Sequence, residues 1–351
     1  MKIKNLSLAI STALLGASLM FCAQANAKGR LVVYCSATNQ MCEAVTQEFG
    51  NKYDVKTSFI RNGSGSTFAK VEAEKNNPQA DVWYGGTFDP QAQAAEMGLL
   101  EAYRSPNISQ IVERFQDPAK VKGNYASAIY MGILGFGVNT ERLQKLGITE
   151  VPKCWKDLTD PRLKGEIQIA DPQSSGTAYT AIATFTQLWG EDQAFEYFRK
   201  LHPNISQYTK SGITPSRSTA RGEATIGIGF LHDYAVEKKN GAPIEMIVPC
   251  EGTGYELGGL SIIKGARNID NAKLFVDYVL SKEGQEVAWR KGEAHQTLLN
   301  TNAEQSPTAF DPLKLKLINY DFEKYGATEE RKRLIEKWVQ DVKLAKLSIL
   351  K

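Results

Sequence analysis

Twice along this chain, short apolar runs alternate with helix-length segments, and that alternation restricts the fold more than any other feature. LVVYC (31–35) reads as a strand, 40–49 as a helix and DVKTSFI (54–60) as a second strand; a helix over 67–76, the strand DVWY (81–84) and a helix over 90–97 complete the first set. The second set holds EIQIA (166–170), a helix over 178–188, ATIGIGF (224–230) and a short helix over 234–239. Strands spaced by helices of this length build βαβ units on parallel sheets, so the chain is predicted to be α/β. Two long apolar, glycine-containing runs, 128–139 and 243–265, lack the composition of linkers and read as extended crossings between two lobes. At 351 residues the chain is long enough for two hydrophobic cores. The predicted division places 28–130 with 256–351 in a first lobe, the C-terminal helices packing back on one or both lobes. Residues 131–255 form a second lobe with hinge crossings at its ends.

Residues 1–27 read as a cleaved secretory signal. Lys2 and Lys4 form a basic start, an apolar run follows from Leu6 to Phe21, and Ala25-Asn26-Ala27 supplies the cleavage pattern. With that leader set aside, 40 basic residues face 39 acidic ones, which gives no general electrostatic reason to bind nucleic acid or an anionic membrane. Removing the leader also removes Cys22 and leaves Cys35, Cys42, Cys154 and Cys250. Four cysteines in an oxidising compartment predict two disulfides. Of the three possible connectivities, Cys35–Cys42 with Cys154–Cys250 is the expected one, because the first pair is close in sequence. Neither CxxC spacing nor a neighbouring histidine points to a metal cluster.

Ligands of open parallel sheets bind beyond the carboxyl ends of the strands, often against helix N-termini. After the predicted strands come Ser36, then Asn62-Gly63-Ser64-Gly65-Ser66-Thr67, then Gly85-Gly86-Thr87, then Asp171-Pro172-Gln173-Ser174-Ser175-Gly176-Thr177. Any one such cluster is what turns and helix caps require. Neutral, hydroxyl-rich clusters at strand ends in both lobes together describe a cleft that solvates an anion with hydroxyls and backbone amides. Arg61 and Lys210 are near enough in sequence to help, although a solvated surface role is the expectation for each, and Ser211 precedes a helix opened by Thr214-Pro215. His232, Asp233 and Glu256 add groups suited to sugar hydroxyls or a cationic group. GSGST is neither a Walker A loop nor a G-x-G-x-x-G fingerprint, so ATP hydrolysis and NAD chemistry are unsupported. The chain has neither a G-x-S-x-G elbow nor an H-E-x-x-H helix, which weakens the reading as an exported hydrolase.

LVVYCSA, NGSGSTFAKVEAEKNNPQADVWYGGT, GILGFGVN, DPQSSGTAYTAIATF and GGLSIIKGARNIDNAKLFVDYVLSKEGQEV together resemble the type II periplasmic solute-binding proteins of ABC importers, in the branch of the ferric-iron-binding proteins. The resemblance covers essentially the whole mature chain and implies two doubly wound α/β lobes joined by a hinge. Iron-binding members carry adjacent tyrosines after the strand equivalent to ATIGIGF, where this chain has Leu231-His232-Asp233-Tyr234. It is more similar to the Afu-type hexose-phosphate binders, in which a His-Asp pair and a glutamate hold the sugar while serines and threonines hold the phosphate. That similarity implies His232, Asp233 and Glu256 at the sugar end, and Ser64, Ser66, Thr67, Thr87, Ser174, Ser175 and Thr177 at the phosphate end. Ser36, Gly176 and Ser211 complete the expected ligand set. The implied protein is a monomeric periplasmic receptor without cofactor, resident metal or enzymatic activity, delivering a sugar phosphate to an ABC permease and its ATPase. Ferric iron, an aminophosphonate or a polyamine remain alternative ligands.

Overall fold

The computed structural model describes residues 29–118, 120 and 124–344; the expected leader lies outside them. The first predicted set forms as β1 (Gly29–Cys35), α1 (Asn39–Tyr53), β2 (Val55–Arg61), α2 (Ser64–Ala73), β3 (Val82–Thr87), α3 (Phe88–Glu96) and the short β4 (Leu100–Glu101). β5 (Ala126–Asn139) and α4 (Thr140–Lys145) follow. The second set is β6 (Ile167–Ala170), α5 (Gly176–Trp189), α6 (Glu191–Leu201), β7 (Ile205–Thr209), α7 (Thr214–Ala220), β8 (Ile226–Phe230) and α8 (Leu231–Lys239). β9 (Ile244–Ile247) and β10 (Tyr255–Ile263) lead to α9 (Ile269–Leu280), α10 (Lys282–Arg290), β11 (Thr297–Leu298), α11 (Phe322–Gly326) and α12 (Thr328–Trp338).

The strand order is β2-β1-β3-β10-β5-β8-β6-β7. β2, β1 and β3 are parallel, as are β7, β6 and β8, while β10 and β5 run antiparallel to their neighbours. β5 belongs to both halves. Its Met131–Ile133 stretch faces Leu257–Tyr255 of β10, and from Leu134 onward it pairs with β8 and β9. All 14 of its residues are buried, which is why the run reads as continuously apolar rather than alternating. The fold is thus the two-lobed α/β arrangement, with one strand threading both parallel sheets.

The structure adds α6 and β7 to the predicted second set. β7 is a polar strand at the edge of its sheet, with two exposed residues in five, so its apolar signal is weak. α2 and α8 each begin three residues earlier than predicted, at Ser64 and Leu231. The C-terminal elements divide. Phe275 of α9 meets Phe49 and Tyr84 edge-on in the first lobe. Trp338 of α12 packs on Tyr208 of β7 at 4.9 Å, and Arg333 grips Glu191 of α6 through both terminal nitrogens.

Both expected disulfides are formed. Cys35–Cys42 ties the end of β1 to α1 and so fixes the intervening Ser36, Ala37 and Thr38. Cys154–Cys250 anchors the segment that leads from β9 into β10, and there the Trp155 indole donates to the Gly252 carbonyl. No helix among the described residues is long and apolar enough to cross a membrane.

Candidate ligand-binding site

Five helices point their N-termini into one cavity between the two sheets: α1 through Thr38, α2 through Gly63 and Ser64, α3 through Thr87, α5 through Ser175 to Thr177, and α8 through His232 and Asp233. First-turn N–H groups have no acceptor inside their own helix and carry the positive end of its dipole. Convergence of this kind attracts an anion without requiring a dense cluster of cations. The empty space between these residues, its opening to solvent included, is about 450 Å³.

One end of the cavity is built from hydroxyls. Ser36 and Ser64 close over Gly86, a position where a Cβ would strike both side chains and where the backbone is left-handed. Ser64 Oγ accepts the Thr87 N–H at 3.0 Å, and the Trp83 indole donates to Ser36 Oγ at 3.0 Å, which fixes both hydroxyls. From the second lobe come Ser175 and Thr177, side by side at Gly212. Thr87 Oγ1 is buried and has no partner among the described residues. Arg61, at the last residue of β2, lines the wall, donating through Nε to the Ala37 carbonyl and through Nη1 to Ser211 Oγ across the cleft.

At the other end His232, Asp233 and Glu256 are 6, 9 and 4% exposed. Gly132 makes room for them, since a Cβ there would lie 2.6 Å from the imidazole and 2.7 Å from Glu256 Oε1. His232 Nε2 stands 3.6 Å from Asp233 and 3.9 Å from Glu256, too far for good hydrogen bonds, and its Nδ1 has no partner. The ring is held parallel to Phe230 at 5.6 Å. Burial pushes the Asp233 carboxyl up to about 7 against the pull of Arg61 and Arg217. Burial first, then the Asp233 and Asp89 charges, raise Glu256 well above the carboxylate range, while burial and then His295 push His232 down to about 3. These spacings belong to groups with spare donors and acceptors rather than to tight ion pairs. Tyr130 lies between the two ends, its hydroxyl accepting the Gly86 N–H at 2.9 Å.

Ser36, Ser64, Thr87, Ser175, Gly176, Thr177, His232, Asp233 and Glu256 all line this cavity. Ser66, Thr67, Ser174 and Ser211 are not in its lining. Thr67 is fully buried with its hydroxyl 3.0 Å from Ser36 Oγ, Ser174 Oγ donates to the Lys210 carbonyl, and Ser211 receives Arg61. Among the polar side chains of the lining, Thr38, Tyr130 and Gln296 escape the sequence reading. Thr38 sits at a helix start, a position that itself points to the site, whereas Tyr130 and Gln296 carry no such signal. Arg61, which lines the wall, corrects the expected surface role. Tyr234 is buried with its ring against Gly137 and Gly227 inside the second lobe, so it supplies no phenolate to the cavity. Among the described residues His232 makes no hydrogen bond to a serine or threonine.

Residues 77–324 match the family described as bacterial extracellular solute-binding protein. An uncharacterized protein of Haemophilus influenzae is 79% identical over 346 residues, covering 99% of this chain and all of its own length. The periplasmic binding protein AfuA of Actinobacillus pleuropneumoniae, solved with exogenous fructose-6-phosphate bound, is 79% identical with a TM-score of 0.89, over 90% of this chain and 99% of its own. The periplasmic binding protein P5PA is 52% identical with a TM-score of 0.87, over the same shares.

Proposed function

The chain belongs to the bacterial extracellular solute-binding proteins, and from that premise we propose that it is the receptor of an ABC importer for hexose 6-phosphates. The observation that carries this reading is the two-ended cavity. Five hydroxyls, from Ser36, Ser64, Thr87, Ser175 and Thr177, meet helix N-termini and Arg61 at one end, and three weakly engaged polar groups stand at the other. A phosphate ester at the first end receives charge-assisted hydrogen bonds worth about 1.5–3 kcal/mol each before desolvation. The sugar hydroxyls meet His232, Asp233 and Glu256, whose neutral forms both donate and accept. The likeness to a protein solved with fructose-6-phosphate supports the same ligand class.

The raised Asp233 and Glu256 carboxyls suit a sugar, whose hydroxyls accept from a protonated carboxyl and donate to an ionised one. The reading extends to release into the periplasm by cleavage of residues 1–27, to delivery to a permease and its ATPase, and to a receptor that makes and breaks no bond. The hinge lies where β5 changes partners at Ile133–Leu134 and in the crossing that enters β10. Thermal melts test the ligand class. Glucose 6-phosphate and fructose 6-phosphate raise Tm, while free glucose and inorganic phosphate, each satisfying half the cavity, raise it much less. An equal shift with free glucose overturns the reading.

A further inference from the structure

The cavity does not end at His232 and Asp233. A second hollow of about 1,140 Å³ of empty volume, its mouth included, begins there and shares Thr38, Ile213, His232, Asp233 and Gln296 with the first. Its remaining walls come from both lobes. Glu43 stands on α1, Arg217 on α7 and Glu237 on α8, while Glu293 and His295 follow α10. The cations are fewer than the carboxylates: Arg217 in the wall, and Lys239, whose charge reaches His295 from outside the lining. Among the described residues none of Glu43, Glu237 and Glu293 is closed off by a salt bridge.

His295 adds an independent sign of a missing occupant. It is 5% exposed, its Nδ1 lies 2.6 Å from Ser306 Oγ, and its Nε2 is buried with no partner among the described residues. Ser306 Oγ also accepts the Thr308 N–H and lies 3.2 Å from Thr308 Oγ1. Two arrangements satisfy this chain: the Thr308 hydroxyl donates to Ser306 and Ser306 to Nδ1, or Nδ1–H donates to Ser306 and the Ser306 hydroxyl to Thr308. The second leaves Nε2 a bare acceptor, open to a donor from an occupant. An acceptor beside unpaired carboxylates suits a group that carries several N–H donors and a positive charge.

We infer that this hollow is an annex subsite for the end of the ligand remote from its phosphate, receiving an ammonium-bearing substituent of the sugar and turning away a second phosphate. The inference rests on the hexose-phosphate reading, since the phosphate must be anchored among the hydroxyls for the far end of the sugar to face His232 and Asp233. An occupant of the annex touches both lobes and therefore adds to closure, whereas a phosphate there meets Glu43, Glu237 and Glu293 with only Arg217 in the wall to offset them.

Calorimetric titration of the mature protein with four probes tests this: glucose 6-phosphate, its ethyl and 2-aminoethyl glycosides at C1, and glucose 1,6-bisphosphate. The aminoethyl glycoside is expected to bind about fivefold tighter than the ethyl glycoside, and the bisphosphate about tenfold or more weaker than glucose 6-phosphate, the scale of a few partly exposed charge contacts. The double variant Glu237→Gln/Glu293→Gln should lose the preference for the amine and keep its affinity for glucose 6-phosphate. Equal binding of the two glycosides, loss of binding by both, or a bisphosphate that binds like glucose 6-phosphate overturns the annex while leaving the receptor reading intact. Failure of glucose 6-phosphate itself to bind overturns both.

Discussion

Asp233 and His232 are neighbours in α8 and titrate in opposite senses, so their contributions to stability oppose each other. An unperturbed Asp titrates near 4 and an imidazole near about 6.5. Folded Asp233 keeps its proton up to about 7, so across that window the folded state binds more protons and stability falls as pH rises. Folded His232 gives up its proton already at about 3, so up to the unfolded value the unfolded state binds more and stability rises with pH. Removing one member exposes the other. In melts of the ligand-free protein between about pH 4 and 6.5, His232→Asn should tilt stability downward with pH, and Asp233→Asn should tilt it upward. Each slope should differ from that of the parent by up to about 1.4 kcal/mol per pH unit, with Glu256 acting alongside Asp233 throughout. Curves parallel to the parent would mean that burial does not set these two groups. At this scale the sequence was informative about place and less so about direction. The strand-end rule led to Ser64, Thr87, Ser175 and Thr177, but it could not separate Ser64 from Ser66 and Thr67 in the same cluster. Each residue turns a helix by about 100°, so Ser66 faces away from Ser64, while Thr67 shares the face of Ser64 one turn further in and spends its hydroxyl on Ser36 Oγ. Tyr130, inside an apolar strand, and Gln296, on an irregular segment, reach the cavity only through tertiary packing.

Helix starts matter as much as the residues on them, because α5 of the second lobe meets β3 and α3 of the first across the cavity. Gly176 is the first residue of α5, and a Cβ built there collides with the Thr87 side chain. The contact joins the lobes, so it is relieved when they part. Gly176→Ala is therefore expected to fold normally, with Tm of the ligand-free protein close to the parent's, and to lose affinity for glucose 6-phosphate. Overpacking typically costs about 1–3 kcal/mol, which corresponds to a weakening of roughly fivefold to 150-fold. Calorimetry beside a thermal melt reads both effects, and an unchanged dissociation constant would show that Thr87 and Gly176 need not approach for the ligand to bind. Legibility at the element scale followed the period of the pattern. β3 and β8 are buried on both sides, β1 nearly so from Leu31 onward, and all three announce themselves as apolar runs, whereas β7 lies at the sheet edge and alternates only weakly.

For the whole molecule, β5 alone belongs to both sheets and a crossing leads back into β10, so the proposed hinge at Ile133–Leu134 and before Tyr255 is where opening is expected to concentrate its backbone change. That two lobes exist was legible in the sequence, because two α/β sets flank two apolar crossings. How they meet was not, since contact across a cleft leaves no periodic trace. Arg61 shows what that contact adds: it holds the Ala37 carbonyl in its own lobe and Ser211 in the other while lining the ligand cavity. In a receptor whose binding-competent closed form is only partly populated, apparent affinity falls in proportion to that population. Arg61→Ala removes a bridge between lobes and the cation nearest the phosphate end, yet takes little from either core, because the side chain is only half-buried. Small-angle scattering should show the parent contracting on addition of glucose 6-phosphate and remaining extended with free glucose. The variant should melt within a few degrees of the parent and need about tenfold or more ligand for the same contraction. A variant that contracts at the parent's ligand concentration would place the closure energy elsewhere, in the hydroxyl and helix N-terminus contacts alone.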